Sequence, residues 1–301
     1  MVKLQVILLT YNHEKYIERA LKSVASQITD FEVEVLLSND NSTDKTLEIV
    51  EAFSSRAELK IRLLSNAKNE GILYSVKNLL SQVTAPYVAI LDGDDSWKFS
   101  NKLQQQVDFL EQNAAFNGTF HDATIVHENN SVKDILFQEA KSYSQLYQYN
   151  QTIYLADLIQ RLIIPTSSLV ARSTFITEEN LKLLTNNYSI AWKLTCFSIN
   201  NAKFFYFNEQ WSEYINHQKG FSKGNKVMFH YKHIEFLKSV LNLSEFKYHK
   251  YELYATISNE LKLILDKGDE MTKARIGSLL GYIHAAGLSA FHYVLKTLKK
   301  Q

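Results

Sequence analysis

The sequence predicts an α/β chain: a mixed, mainly parallel sheet flanked by helices, followed by a helical C-terminal region. Two observations lead there. Short apolar runs suited to buried strands alternate with stretches of helical periodicity through the first part of the chain, and from about Lys226 onward only helical spacing remains. A third observation says what the sheet carries: Asp92-Gly93-Asp94-Asp95 stands where the apolar run Tyr87-Val88-Ala89-Ile90-Leu91 ends.

Strands are expected at Leu4–Thr10, Glu32–Ser38, Lys60–Ser65 and Tyr87–Leu91. Between them, Ile17, Ala20, Leu21, Val24 and Ile28 share one helical face, as do Val76, Leu79, Leu80 and Val83; Leu103, Val107 and Leu110 continue the pattern after the acidic tetrad. A βαβα order with right-handed crossovers delivers parallel strand ends to one rim, so Thr10, Asp40 and Asp92 are expected to converge. The turn Ser38-Asn39-Asp40-Asn41-Ser42-Thr43-Asp44-Lys45-Thr46 is built of helix-capping residues, with Ser42 or Thr43 expected to cap and Asp44 favourable in the first turn. Asp40 is then free to accept the imide N–H of a uracil, which cytosine lacks.

Composition excludes several classes. The chain has 301 residues, 46% of them hydrophobic, enough for one large core or a core domain with an appendage. Its 33 basic and 32 acidic residues leave a net charge of +1, which is no footprint for nucleic acid. The lone Cys196 cannot form an internal disulfide, and Leu4 to Leu9 is too short an apolar stretch for a secretory signal, so a cytoplasmic protein is expected.

Three carboxylates at the open end of a buried strand repel one another unless a cation neutralises them. Mg²⁺ or Mn²⁺ held by one or two carboxylates keeps positions open for substrate phosphates, and strand ends are where open α/β sheets bind ligands. The alternative is an acidic turn capping the helix that starts near Ser100. Thr10-Tyr11-Asn12-His13-Glu14-Lys15-Tyr16, after the first strand, contains no glycine, so a backbone cradle for phosphate is not expected there.

In this order the motifs resemble the inverting family 2 glycosyltransferases with the GT-A fold. They are Leu9-Thr10-Tyr11-Asn12 with Tyr16-Ile17; Asn39-Asp40-Asn41-Ser42-Thr43-Asp44; Asn69-Glu70-Gly71 with Lys77-Asn78; and Leu91-Asp92-Gly93-Asp94-Asp95-Ser96-Trp97 with Lys102-Leu103. The resemblance implies a nucleotide-sugar site in which Thr10, Tyr11, Asn12 and Asp40 hold the nucleoside, Lys77 stands where an arginine usually meets the diphosphate, and Asp92 and Gly93 lie by the ribose. It assigns Mn²⁺ or Mg²⁺ to Asp94 with Asp92, with His217 as a third candidate, and assigns Asp95 to positioning the sugar. The implied acceptor is a glycan or lipid-linked chain in surface polysaccharide synthesis, and the implied donor a UDP-sugar. Three departures stand out: Asn39 replaces an aspartate, Ile215 replaces an arginine before His217, and Ala191 occupies the usual place of the general base ahead of Trp192. Three explanations stand side by side: the helix of the base aligns elsewhere, another carboxylate such as Asp122 serves, with Glu178, Glu179, Glu209 and Glu213 behind it, or the chain transfers poorly; Asp122 reads equally as a polar residue at a strand end.

The domain reading is a catalytic domain over 1–225, with a nucleotide-binding half at 1–115 and an acceptor half at 116–225, and a helical extension over 226–301. In the extension, Phe236, Leu237, Val240 and Leu241, then Tyr254, Ile257, Leu261 and Leu265, recur at helical spacing. Ile276 to Leu295 carries no charge, yet His284, His292 and three glycines make it a poor membrane span. It suits an amphipathic helix packed on the domain or a second subunit, or lying on the inner membrane surface beside Lys296, Lys299 and Lys300. Beside the transferase stand two other readings: a nucleotide-sugar-binding partner subunit that has lost its base, and a non-enzymatic Rossmann-like binding protein.

Overall fold

The computed structural model describes residues 1–56, 59–128, 132–140, 148–160, 164–184, 203–217, 226–241, 248 and 250–267. Ten strands among them form one sheet: β1 Val2–Thr10, β2 Glu32–Asn39, β3 Lys60–Ser65, β4 Tyr87–Asp92, β5 Ser96–Trp97, β6 Gly118–His127, β7 Ile135–Leu136, β8 Gln151–Tyr154, β9 Val170–Arg172 and β10 Lys203–Asn216. The order is β3-β2-β1-β4-β9-β6-β10-β5, with β7 beside β6 and β8 beside β10. The block β3-β2-β1-β4 is wholly parallel, as the four apolar runs require. β9 lies antiparallel between β4 and β6, which makes the sheet mixed.

Helices α1 Ile17–Ala25, α2 Thr46–Ser54 and α3 Ile72–Ser81 connect this block, and α4 Lys102–Gln112 and the short α5 Phe137–Ala140 follow it. One continuous core joins Leu4, Val6, Leu8, Val35, Leu37, Ala89 and Leu91 of the sheet to Ile17, Leu21 and Val24 of α1, Val50 and Phe53 of α2, and Leu103, Val107 and Leu110 of α4. Each such side chain removed from water contributes roughly 1.5–3 kcal/mol. On the other face, α3 buries Val76, Leu79 and Leu80 against β1 and β2.

Two local expectations are corrected. α1 stops at Ala25, and Ile28 is 65% exposed with its N–H bonded to the Ser100 carbonyl. The chain leaves the helix there because Gln27 turns to the neighbouring loop, donating to the Phe99 carbonyl and accepting the Leu103 N–H at 3.1 Å. Neither Ser42 nor Thr43 caps α2. Asp44 does so, its Oδ1 accepting the Thr46 N–H at 3.0 Å, while Ser42 accepts the Asn12 N–H.

The chain divides into two compact units, one of 1–155 with 162–217 and one of 156–161 with 218–301. The described part of the second contains most of α6 Leu155–Gln160, with α8 Lys226–Val240 and α9 Lys250–Lys267 packed on each other. α8 buries Phe236, Leu237 and Val240, followed by Leu241, and α9 buries Ile257 and Leu261. His230 and His233 of α8 bond the two oxygens of Glu260 of α9. No described helix is long and apolar enough to cross a membrane; the stretch 276–295 lies outside the described residues.

Lys102, which opens α4, is wholly buried, its Nζ 4.2 Å over the Trp97 ring and without a hydrogen-bond partner among the described residues. Burial holds its pKa well below the ordinary 10.5. The unfolded chain therefore binds this proton more tightly than the native one, so its contribution to stability rises as pH climbs toward 10.5. Lys102→Met is expected to raise stability at neutral pH by about 1 kcal/mol or more. It should also flatten the rise toward alkaline pH, both read from urea denaturation at several pH values.

Candidate active site

The rim is built by register. Thr10 pairs with Asn39 and Leu9 with Asp92, so the ends of β2, β1 and β4 lie side by side. The Asp40 N–H bonds the Thr10 carbonyl at 3.0 Å, and the Gly93 N–H bonds the Leu9 carbonyl at 2.8 Å. Thr10, Asp40 and Asp92 thus meet as expected. A Cβ at Gly93 would lie 2.8 Å from His13 Nδ1, 2.9 Å from Thr10 Oγ1 and 3.0 Å from the Leu9 carbonyl, so glycine alone lets the acidic loop close this tightly on β1.

The loops after β1 and β2 are laced together. Asn12 and Asn41 both take left-handed backbone, at φ 55° and 58°. Asn12 Oδ1 accepts the Thr43 N–H at 2.8 Å, the His13 N–H bonds Thr46 Oγ1 at 2.8 Å, and Glu14 Oε2 accepts the Lys45 N–H at 3.1 Å. Asn12 therefore sets the shape of the rim. Tyr11 beside it is 43% exposed and Lys77 on α3 is half-buried.

Asp40 is the hub of a third loop. Its Oδ1 accepts from Asn66 Nδ2 and the Glu70 N–H, and its Oδ2 from the Gly71 N–H, each at 2.8 Å. The expectation that Asp40 is spared structural duty is corrected. A carboxylate offers about four lone-pair directions, so one on Oδ2 remains for a ligand N–H. Gly71, at φ 84°, lets the loop turn into α3.

The tetrad carboxylates occupy three environments. Asp92, half-buried at the end of β4, is pushed up to about 7 by burial and by Asp94 beside it. Burial also raises Asp94, but the hydrogen bond from His217 and the nearby His13 outweigh it and hold this carboxyl below the usual range. His217 Nε2 lies 2.9 Å and His13 Nε2 3.9 Å from Asp94 Oδ2. Asp95 is 1% exposed, raised well above the usual range by burial and by Asp94 and Asp92, and its Oδ1 accepts the Ile215 N–H at 3.1 Å. It ties the tetrad to β10. None of the three caps α4, whose Leu103 N–H is met by Gln27, so the acidic-turn alternative loses its main support.

Two residues at this site were not anticipated. His13 carries a buried Nδ1 without a partner and has its pKa lowered by burial. Arg19 of α1 donates to the Asp94 carbonyl at 3.3 Å and lies 3.8 Å from Glu213. His13 stands in a loop already marked by its neighbours; Arg19 looks in sequence like any charged position on a surface helix face.

Asp122 is 3% exposed on β6. Its Oδ1 accepts the Ala123 N–H at 2.8 Å and the Gln138 N–H at 3.1 Å, and burial pushes its carboxyl up to about 6. Ala89 pairs with Val170, and Val170 with Thr119. Three residues further along these co-directional strands stand Asp92 and Asp122, at one height and on one sheet face, about 10 Å apart across two strand spacings. Among the other acids, Glu178 is paired with Lys182 on α7 Glu178–Leu183, Glu179 shares that helix, Glu209 is exposed on β10, and Glu213 accepts from Ser96 Oγ at 3.3 Å. Ala191 and Trp192 lie outside the described residues.

The donor set suits a hard divalent cation. Asp92 and Asp94 are two neighbouring carboxylates, one raised by the other, with the imidazoles of His217 and His13 beside Asp94. Among the described residues no three such side chains form a ready-made metal cage. Mg²⁺ and Mn²⁺ sites completed by substrate phosphates need none.

Residues 5–172 match the family model described as glycosyl transferase family 2. An uncharacterized Mycobacterium tuberculosis protein is 30% identical over 169 residues, 56% of this chain and 46% of its own. The Staphylococcus aureus poly(ribitol-phosphate) beta-N-acetylglucosaminyltransferase TarS is 37% identical over 130 residues, 42% of this chain and 21% of its own. The chain thus spans about half or less of the length of these curated relatives. In structure it resembles S. aureus TarS residues 1–349 in complex with UDP-GlcNAc, at TM-score 0.75 and 18% identity, covering 98% of this chain and 88% of that one. It also resembles a Pyrobaculum calidifontis mannosyltransferase in complex with GDP-Man and Mn²⁺, at TM-score 0.55 and 15% identity, covering 98% and 84%. The fold is GT-A.

Removing the Asp40 carboxylate strands three donors in a half-buried loop. Asp40→Ala is expected to cost about 2–3 kcal/mol of stability, read by chemical denaturation, and to weaken uridine diphosphate binding by calorimetry in the folded fraction.

Proposed function

The chain belongs to glycosyl transferase family 2, and from that premise we propose that it transfers a sugar from a UDP-sugar to an acceptor hydroxyl with inversion, aided by Mn²⁺ or Mg²⁺. The observation that carries the reading is the pair Asp92 and Asp94 at the open end of β4, flush with Thr10 and Asp40. Thr10, Tyr11 and Asp40 hold the nucleoside, the remaining lone pair of Asp40 taking the uracil imide N–H. Lys77 supplies charge toward the diphosphate without an arginine's bidentate fork. Asp94 and Asp92 would hold the metal, which when bound supplies a Lewis acid for the leaving diphosphate. Asp95 keeps the tetrad joined to β10 beneath the sugar.

The proton of the attacking hydroxyl goes to Asp122. Its distance from Asp92 leaves room for a sugar ring, and its Oδ1 is fixed by backbone N–H groups. The acceptor is a glycan or lipid-linked chain of a surface polysaccharide, and the place of action the cytoplasmic face of the membrane. A transferase of this kind fits a catalytic domain over 1–225 with a helical extension after it. The structure of TarS with UDP-GlcNAc supports the choice of a uridine donor, and the mannosyltransferase complex supports the metal.

Calorimetry with uridine diphosphate, with and without Mn²⁺, tests the donor site. Asp94→Ala is expected to abolish the Mn²⁺-dependent part of the affinity; an unchanged Mn²⁺ dependence contradicts the assignment. In the native protein that part should fade as pH falls through about 7, where Asp92 takes up a proton. Asp122→Asn is expected to leave uridine diphosphate affinity intact and to slow sugar transfer by roughly 10²- to 10⁴-fold. The native rate should rise with pH through about 6.

A further inference from the structure

A cleft of about 370 Å³ opens beside Asp122, with Gln138, Glu139, Tyr149 and Asn208 in its walls. Its lip is built by an irregularity in β10. Phe207 stands opposite His121 and Gln210 opposite Asp122, so Asn208 and Glu209 are additional residues that leave the regular ladder. Such bulges re-aim side chains and gather beside functional sites. Asn208 is fixed in this position: its N–H bonds Asn150 Oδ1 at 2.8 Å and its Nδ2 bonds the Gln148 carbonyl at 2.8 Å. The opposite wall is equally anchored, since the Gln138 N–H is the one held by Asp122 Oδ1.

The lining states a chemistry. Two carboxylates and no lysine or arginine among the described lining residues disfavour a phosphate or another anion. Side-chain amides donate to hydroxyl groups and accept from them, carboxylates accept from them, and Tyr149, 75% exposed, offers a ring on which the C–H face of a sugar packs.

We propose that this cleft is the acceptor subsite and takes a neutral, hydroxyl-rich saccharide, with Tyr149 as its platform, Asn208 and Glu139 as its hydroxyl partners, and Asp122 at the attacking hydroxyl. The assignment rests on the transferase reading. The donor and the acceptor then approach the same sheet face two strand spacings apart, the donor at the end of β4 and the acceptor over the middle of β6.

The test is saturation-transfer NMR of the full chain with a panel of methyl glycosides of hexoses and N-acetylhexosamines, with uridine diphosphate binding measured in parallel. Tyr149 is exposed, so Tyr149→Ala is expected to fold normally. At least one glycoside should bind the native protein, Tyr149→Ala should weaken it about tenfold, Glu139→Gln should weaken it less, and uridine diphosphate affinity should stay the same in both variants. Inorganic phosphate should not compete. If uridine diphosphate binds and no glycoside does, or if Tyr149→Ala binds glycosides as well as the native protein, the acceptor subsite is overturned while the donor reading stands. Competition by phosphate overturns the neutral-ligand assignment. If glycosides bind through Tyr149 and uridine diphosphate does not bind at all, the transferase reading fails and the cleft remains a saccharide site.

Discussion

The closure of Gly93 onto the end of β1 is the contact on which the rim depends. Its N–H reaches the Leu9 carbonyl at 2.8 Å, and the missing side chain lets His13 and Thr10 sit directly over it. Without that approach the tetrad would ride higher, and neither Asp92 nor Asp94 would share a level with Thr10 and Asp40. A parallel sheet aligns strand ends only to within a residue or two; hydrogen bonds between the loops do the rest. The lacing of Asn12 to Thr43 and of His13 to Thr46 shows the same principle at the neighbouring pair of strands.

From that placement follows a division of labour among like charges. Three carboxylates within four residues cannot share one environment without large electrostatic cost. Asp95 is drawn under the loop and bonded to β10, Asp94 is steadied by two histidines, and Asp92 is left at the strand end with its carboxyl raised to about 7. The local chain is thereby a poor resting place for negative charge, the property that the proposed metal-assisted site requires.

The second half of the sheet extends the same logic. β9, antiparallel, holds β4 and β6 two strand spacings apart, and so separates Asp92 from Asp122 by a distance suited to a sugar between them. β10 bonds Asp95 of the tetrad through the Ile215 N–H and bulges beside Asp122. One long strand therefore links the proposed donor side to the proposed acceptor side, so a disturbance of β10 should reach both.

Much of this was legible in the sequence because it is written locally. Apolar runs of strand length, helical spacing between them and acidic or small residues at their ends marked β1 to β4, α1, α3 and α4, and pointed to Thr10, Asp40, Asp92 and Asp94. What sequence could not decide were partners distant in the chain. Gln27 capping α4 across 76 residues, Asp40 organising a loop 30 residues away, His13 and His217 meeting at Asp94, and Asn208 lifted out of β10 beside Asp122 each depend on which strands pair and in what register. A residue's own type states what bonds it can form. Only the tertiary structure, by bringing remote backbone and side chains within bonding reach, chose which of those bonds are made.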